Sequence, residues 1–170
     1  MKIGRITISD RASAGVYEDR SGPEIESALR EVFGAEVEFV SVIVPDEAEL
    51  ISAKLREFAD EARCDLIVTT GGTGISPRDV TPEATRAVLE KELPGFGEAM
   101  RMQSLAIVKT AILSRATAGT RDRSLIVNLP GKPSAVRECL AILAPAIREG
   151  LAHLRGDDPH TQPTAFQRKP

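Results

Sequence analysis

A chain of 170 residues is the size of one ordinary domain and can bury a core without disulfide or metal staples. Its 42% hydrophobic and 28% charged residues exclude disorder throughout. A net charge of −3, 4% aromatic residues and no Trp argue against a nucleic-acid binder or an anionic-membrane binder.

In chain order, residues 2–9 carry Ile3, Ile6 and Ile8 among small residues and predict a first strand. Residues 10–22 read as a long polar loop. Residues 23–33 predict a helix with Ile25, Ala28, Leu29, Val32 and Phe33 on one face and Gly34 as its stop. The β-branched run 37–44 predicts a second strand, broken by Pro45 and Asp46. Residues 47–62 predict an amphipathic helix, with Ile51, Leu55, Phe58 and Ala59 on its apolar face. Residues 64–70 form a continuous apolar strand, of the kind found in a parallel sheet covered on both faces. A glycine-rich loop, 71–79, follows. Thr81 as N-cap and Pro82 as first helical residue then open a helix running to about residue 93. Pro94-Gly95 precedes a short helix at 96–105. Residues 114–120 and 124–128 predict strands that turn at Arg121-Asp122-Arg123. From Pro133 a long helix carries the stripe Val136, Cys139, Leu140, Leu143, Ile147, Leu151 and Leu154, with a kink expected at Pro145. The polar stretch 156–170 reads as a tail after one domain, 1–155. The expected fold is α/β: a mostly parallel central sheet with helices on both faces, three-layered and Rossmann-like.

Cys64 and Cys139 sit in apolar contexts, read as small buried hydrophobes and point to a reducing cytoplasm. The start carries no secretory pattern, and no apolar run approaches the roughly 20 residues of a membrane helix. His153 and His160 lie in the last helix and the tail, away from the loops described next, so a zinc site or His-based nucleophile is not supported.

Ligands of open parallel sheets bind beyond the carboxyl ends of the strands. Four segments are expected at such ends: Ser9-Asp10-Arg11, Pro45-Asp46-Glu47, Thr69 to Gly74, and Asn128-Leu129-Pro130-Gly131-Lys132. Any one of them alone reads as an ordinary turn. In the third, Thr70, Gly71, Gly72, Thr73 and Gly74 let successive backbone N–H groups point into one anion-binding concavity. It is neither a dinucleotide fingerprint, since Pro77 stands where a glycine is required, nor a Walker A loop. Asp46 and Asp79 read either as helix caps or, if both loops line one cleft, as two carboxylates beside a phosphate nest, the setting for Mg²⁺. Arg11, Arg78 and Lys132 add positive charge to that edge. Replacing Gly72 with Val is expected to block close approach to a phosphate while sparing the fold.

The segments Ile8-Ser9-Asp10-Arg11, Val44-Pro45-Asp46-Glu47, Thr69 to Gly74, Arg78 to Ala84, Pro94 to Glu98, Ile112 to Arg115 and Asn128 to Gly131 together resemble the MogA/MoaB family of molybdenum cofactor biosynthesis, which includes the N-terminal domain of gephyrin. The resemblance implies a MogA/MoaB-type fold and a molybdopterin adenylyltransferase that joins AMP from ATP to the terminal phosphate of molybdopterin and releases pyrophosphate. It implies Asp46 and Asp79 as the essential acidic pair. It implies Ser9, Asp10, Thr70, Gly71, Gly72, Thr73, Gly74, Asn128, Pro130, Gly131 and Lys132 as ligand-loop residues. It further implies a homotrimer and hand-over of the product to a molybdate-insertion enzyme. A non-catalytic molybdopterin-binding scaffold and a relative acting in molybdate insertion are the alternatives. Intact Asp46 and Asp79 favour the enzyme.

Overall fold

A computed structural model describes residues 1–157. Strand β1 spans Lys2–Ile8, and Ser9 caps a one-turn helix, α1 (Asp10–Ser13), its Oγ accepting the Ala12 N–H at 3.2 Å. Helix α2 (Ser21–Phe33) leads to β2 (Glu38–Val44). Helix α3 (Ala48–Arg56) continues through a π-helical turn, Glu57–Glu61, to β3 (Leu66–Thr70). Then come α4 (Thr81–Arg86), β4 (Lys91–Glu92), α5 (Pro94–Ser104) and a 3₁₀ turn, Lys109–Leu113. The chain closes with β5 (Ala118–Arg121), β6 (Ser124–Leu129) and α6 (Pro133–Arg155).

The six strands form one sheet in the order β2-β1-β3-β6-β5-β4. The first four run parallel, and β5 is antiparallel to both β6 and β4. Side-chain alternation sorts the core into two layers. Ile3, Leu66, Val68, Leu125, Val127 and Leu129 face α2, α5 and α6, where Ile25, Leu29, Met100, Val136, Leu140 and Ile147 meet them. Ile6, Ile8, Ile67 and Ile126 face α3 and α4, against Ile51, Leu55, Phe58 and Ala84. Burying each such side chain contributes roughly 1.5–3 kcal/mol, which fixes the helices to their faces. Cys64 and Cys139 are buried free thiols, and burial pushes the Cys64 thiol up to about 11. Among the described residues no helix is long and apolar enough to cross a membrane.

Several boundaries differ from expectation. The helix expected to reach residue 93 stops at Arg86, because Glu90 and Leu93 donate their N–H groups to Thr120 and Ala118. Strand pairing covers the open edge of β5, and that wins over helical propensity. Strand β5 starts at Ala118 rather than 114, because the Arg115 N–H donates to the Thr73 carbonyl, outside the sheet. Thr81 is the first residue of α4, not its cap. Helix α2 begins two residues before Pro23, and α6 continues through Pro145. Gly156 ends α6 at φ +81. Most of the expected tail, including His160, lies outside the described residues.

Candidate functional site

Strand β1 leads through α2 to β2 on one side, and β2 returns through α3 to β3 on the other side of β1. The chain thus departs from two adjacent strands in opposite directions, which opens a crevice at their carboxyl ends. A cavity of about 270 Å³ lies there, lined among others by Ser9, Asp46, Gly71, Gly72 and Asp79. A second cavity of about 490 Å³ adjoins it, lined among others by Thr73, Met100, Val108, Leu113, Pro130 and Lys132. Asp79 and Gly131 line both.

The glycine-rich loop is shaped by two left-handed residues, Gly71 at φ +97 and Gly72 at φ +63. A β-carbon at Gly71 would collide with the Ile8 carbonyl oxygen. One at Gly72 would collide with Thr81 Oγ1 and lie 3.0 Å from Asp46 Oδ1. Only glycine lets this backbone press against β1 and beneath Asp46. This overturns the expectation for Gly72→Val, which disturbs the fold as well as any ligand. Thr81 donates its hydroxyl to the Gly71 carbonyl at 2.9 Å and its N–H to the Gly72 carbonyl at 3.1 Å. Thr70 Oγ1 donates to the Pro130 carbonyl at 2.7 Å and so ties the two loops together. Arg115 Nε donates to the Gly74 carbonyl and Nη2 to the Asp79 carbonyl, each at 2.6 Å. The N–H groups of Gly72, Thr73 and Gly74 donate to no acceptor among the described residues. They remain available to an anion.

Asp46 is not a helix cap. Glu47 takes that position without a side-chain bond. Asp46 Oδ2 instead accepts the Asp10 N–H at 2.8 Å, and Asp10 Oδ1 accepts the Asp46 N–H at 3.0 Å. Arg78 grips Asp10 with two donors, Nη2 at 2.8 Å to Oδ1 and Nε at 3.0 Å to Oδ2. This grip and the Asp46 N–H hold the Asp10 carboxyl below the usual range. Burial pushes the Asp46 carboxyl up; the Asp10 N–H pulls the other way, and the charges of Asp10 and Asp79 add to the rise. Asp79 does not cap α4. Its Oδ2 accepts the Ser76 N–H at 2.7 Å and closes the glycine-rich loop. Asp46 and Asp79 both line the first cavity, and they are the groups there that could hold a cation. Among the described residues no cluster of three or more His, Cys, Asp or Glu side chains could hold a metal ion.

The sequence-predicted residues separate. Asp46, Asp79, Ser9, Thr70, Gly71, Gly72 and Gly131 line the first cavity; Thr73, Gly74, Pro130 and Lys132 line the second. Asp10 does not line either, since its carboxylate is committed to Arg78 and the Asp46 N–H. Asn128 is a correction. It is 0% exposed, and its Nδ2 donates to Thr69 Oγ1 at 3.0 Å and Thr85 Oγ1 at 2.9 Å. It braces β3, β6 and α4 beneath the site rather than entering it. Arg11 stacks on Tyr17 instead of reaching toward the loops. Tyr17 and Asp19 were not singled out by sequence, yet both line the first cavity. Asp19 Oδ2 accepts Thr7 Oγ1 at 2.7 Å and Arg5 Nη1 at 3.0 Å, while Oδ1 accepts the Gly22 N–H at 2.9 Å. An Asp just before a helix start was the available signal.

Residues 4–149 match the model of a family described as a probable molybdopterin binding domain. The chain is 58% identical over 145 residues to a molybdopterin adenylyltransferase of Helicobacter pylori, covering 85% of this chain and 82% of that protein. A solved MogA structure superposes with a TM-score of 0.83 at 40% identity, covering 91% of this chain and 99% of that one. A MoaB structure from Thermus thermophilus gives 0.80 at 43% identity, with 91% and 96% covered.

Proposed function

The chain belongs to the molybdopterin-binding domain family, and on that premise we propose that it is a molybdopterin adenylyltransferase, with residues 1–155 forming the working unit. The observation that carries this reading is the pair of adjoining cavities with Asp79 and Gly131 in their common wall. A transferase that joins two substrates must hold their reacting atoms side by side, and two adjoining cavities allow this. The first chamber, with Asp46, Asp79 and the free Gly72 N–H, suits a nucleotide's phosphates. The second is larger and mostly apolar, walled by Met100, Val108 and Leu113, and suits the pterin with its dithiolene sulfurs.

In the reaction an oxygen of the molybdopterin terminal phosphate attacks the α-phosphorus of ATP. The bond from that phosphorus to the oxygen bridging to the β-phosphate breaks, and pyrophosphate leaves. Protein groups position the partners and balance charge; no side-chain nucleophile is required. The α6 N-terminus, with Ser134 and Ala135 lining the second chamber, favours the attacking phosphate, as does Lys132. The Gly72 N–H beside the first chamber and the Thr73 and Gly74 N–H groups beside the second would bind phosphate oxygens. Asp46 and Asp79 fit Mg²⁺, which takes one or two carboxylates and completes its shell with phosphates and water. The Asp79 charge adds to the rise of the Asp46 pKa, and a bound cation would relieve that repulsion. When bound, that ion supplies neutralisation of charge on the leaving pyrophosphate.

Three further points belong to the same reading. Met102, Ile107, Ile112 and Leu113 expose apolar surface beside the second chamber, which supports a homotrimer. The product passes to a molybdate-insertion enzyme. The two free buried thiols accord with the cytoplasm. The test is pyrophosphate release from ATP and Mg²⁺, measured with and without molybdopterin. Release that requires molybdopterin is expected. No release with both substrates present would refute the enzyme and leave a binding protein.

A further inference from the structure

The chain contains one tyrosine and no tryptophan. Its described phenylalanines pack on the core: Phe58 is buried among the residues facing α3 and α4, and Phe33, Phe39 and Phe96 pack against the layer on the other face. Tyr17 differs. It is 50% exposed and lines the first cavity together with Asp46 and Asp79. Its backbone is fixed, since the N–H groups of Val16 and Tyr17 donate to the Arg11 carbonyl at 2.9 and 3.2 Å. The Arg11 guanidinium lies 5.3 Å from the ring centroid and stacks on the ring. The polar loop holding Tyr17 is anchored at its far end by Asp19, through Arg5, Thr7 and Gly22. A half-exposed aromatic ring, held on a braced loop at a polar cavity and stacked by Arg11, keeps surface open to a ligand. Base–aromatic stacking is the interaction such a ring offers to a nucleotide.

We infer that Tyr17, backed by Arg11, is the stacking platform for the adenine of ATP in the first cavity. This rests on the two-chamber reading above and adds the group that recognises the base. The ring sits in the same cavity as Asp46, so a base on Tyr17 and phosphates at the Asp46–Asp79 wall belong to one extended nucleotide. Stacking reads a face rather than an edge, so Tyr17 contributes affinity for a base more than discrimination among purines.

The test uses the intact protein and two independent readouts. Tyr17 is the chain's only tyrosine in the absence of tryptophan, so its emission reports directly on ring contact. ATP is expected to quench that emission saturably, after correction against free tyrosine, and inorganic tripolyphosphate is not. In steady state, Tyr17→Ala is expected to raise the KM for ATP roughly 5- to 150-fold. The loss falls on KM rather than kcat, and the KM for molybdopterin stays put. Tyr17→Phe keeps the ring and restores the ATP KM. An unshifted ATP KM in Tyr17→Ala overturns the inference, as does a shift that falls on molybdopterin instead. If the wild-type protein transfers nothing, the adenylyltransferase reading fails. The quench then still decides: saturable and base-dependent, it upholds the platform; absent, it removes it.

Discussion

Asp46→Asn separates charge from scaffolding at the centre of the site. Asparagine keeps an oxygen that can accept the Asp10 N–H, the bond that holds Asp46 at 2.8 Å. It also keeps the size that fits over Gly72, whose added β-carbon would lie 3.0 Å from Asp46 Oδ1. Only the charge is removed. Burial raises the Asp46 pKa, the Asp10 N–H opposes the rise, and the charges of Asp10 and Asp79 add to it. A carboxyl whose folded pKa is raised favours folding in its protonated form. That contribution is complete below the unfolded value of about 3.9 and is lost as pH rises through the folded value. At neutral pH the ionised side chain therefore weighs against the fold, and Asp46→Asn should melt no lower than the wild type. The two melting curves should converge as pH falls toward the ordinary carboxylate range. Catalysis should move the other way. Losing one charge-stabilising group at developing charge costs on the order of 10²- to 10³-fold in rate, about 2.7–4 kcal/mol of barrier. Single-turnover formation of adenylylated molybdopterin and thermal melts across pH provide the assay. A near wild-type rate, or a lower melting temperature at neutral pH, would refute the reasoning.

Asn128→Leu should cost roughly 2–4 kcal/mol in urea denaturation, because it strands the Thr69 and Thr85 hydroxyls in a buried setting; an unchanged midpoint would contradict the bracing role. Gly71→Ala should destabilise by more than about 1 kcal/mol, through its φ of +97 and its collision with the Ile8 carbonyl; wild-type stability would show that the loop can relax there.

Much of the fold was legible because local and long-range signals agree in it. The apolar runs through Ile6, Val42 and Val68 could only be strands, and the stripe from Val136 to Leu151 could only be a helix on a core. Legibility failed where distant partners decide. Residues 87–93 leave the helix because Thr120 and Ala118 offer carbonyls, and nothing local announces that edge. The family resemblance implies Asn128 as a ligand-loop residue. Alternation along β6 carried the better signal: Asn128 shares its face with buried Ile126, toward α4. The resemblance implies Asp10 as a ligand-loop residue, but its bidentate hold on Arg78, 68 positions away, makes it a support for Asp46. The apolar wall of the second cavity was invisible in sequence, since it comes from α5, the 3₁₀ turn and α6, whose apolar residues look like ordinary core.

The account stands on AMP, rather than phosphate, passing between the two cavities. ATP labelled separately at its α- and γ-phosphates, incubated with Mg²⁺, molybdopterin and the protein, tests this directly. The α-label is predicted to appear in the pterin product, with the γ-label in pyrophosphate. A γ-label on molybdopterin, or release of the γ-label as free phosphate alone, would contradict it.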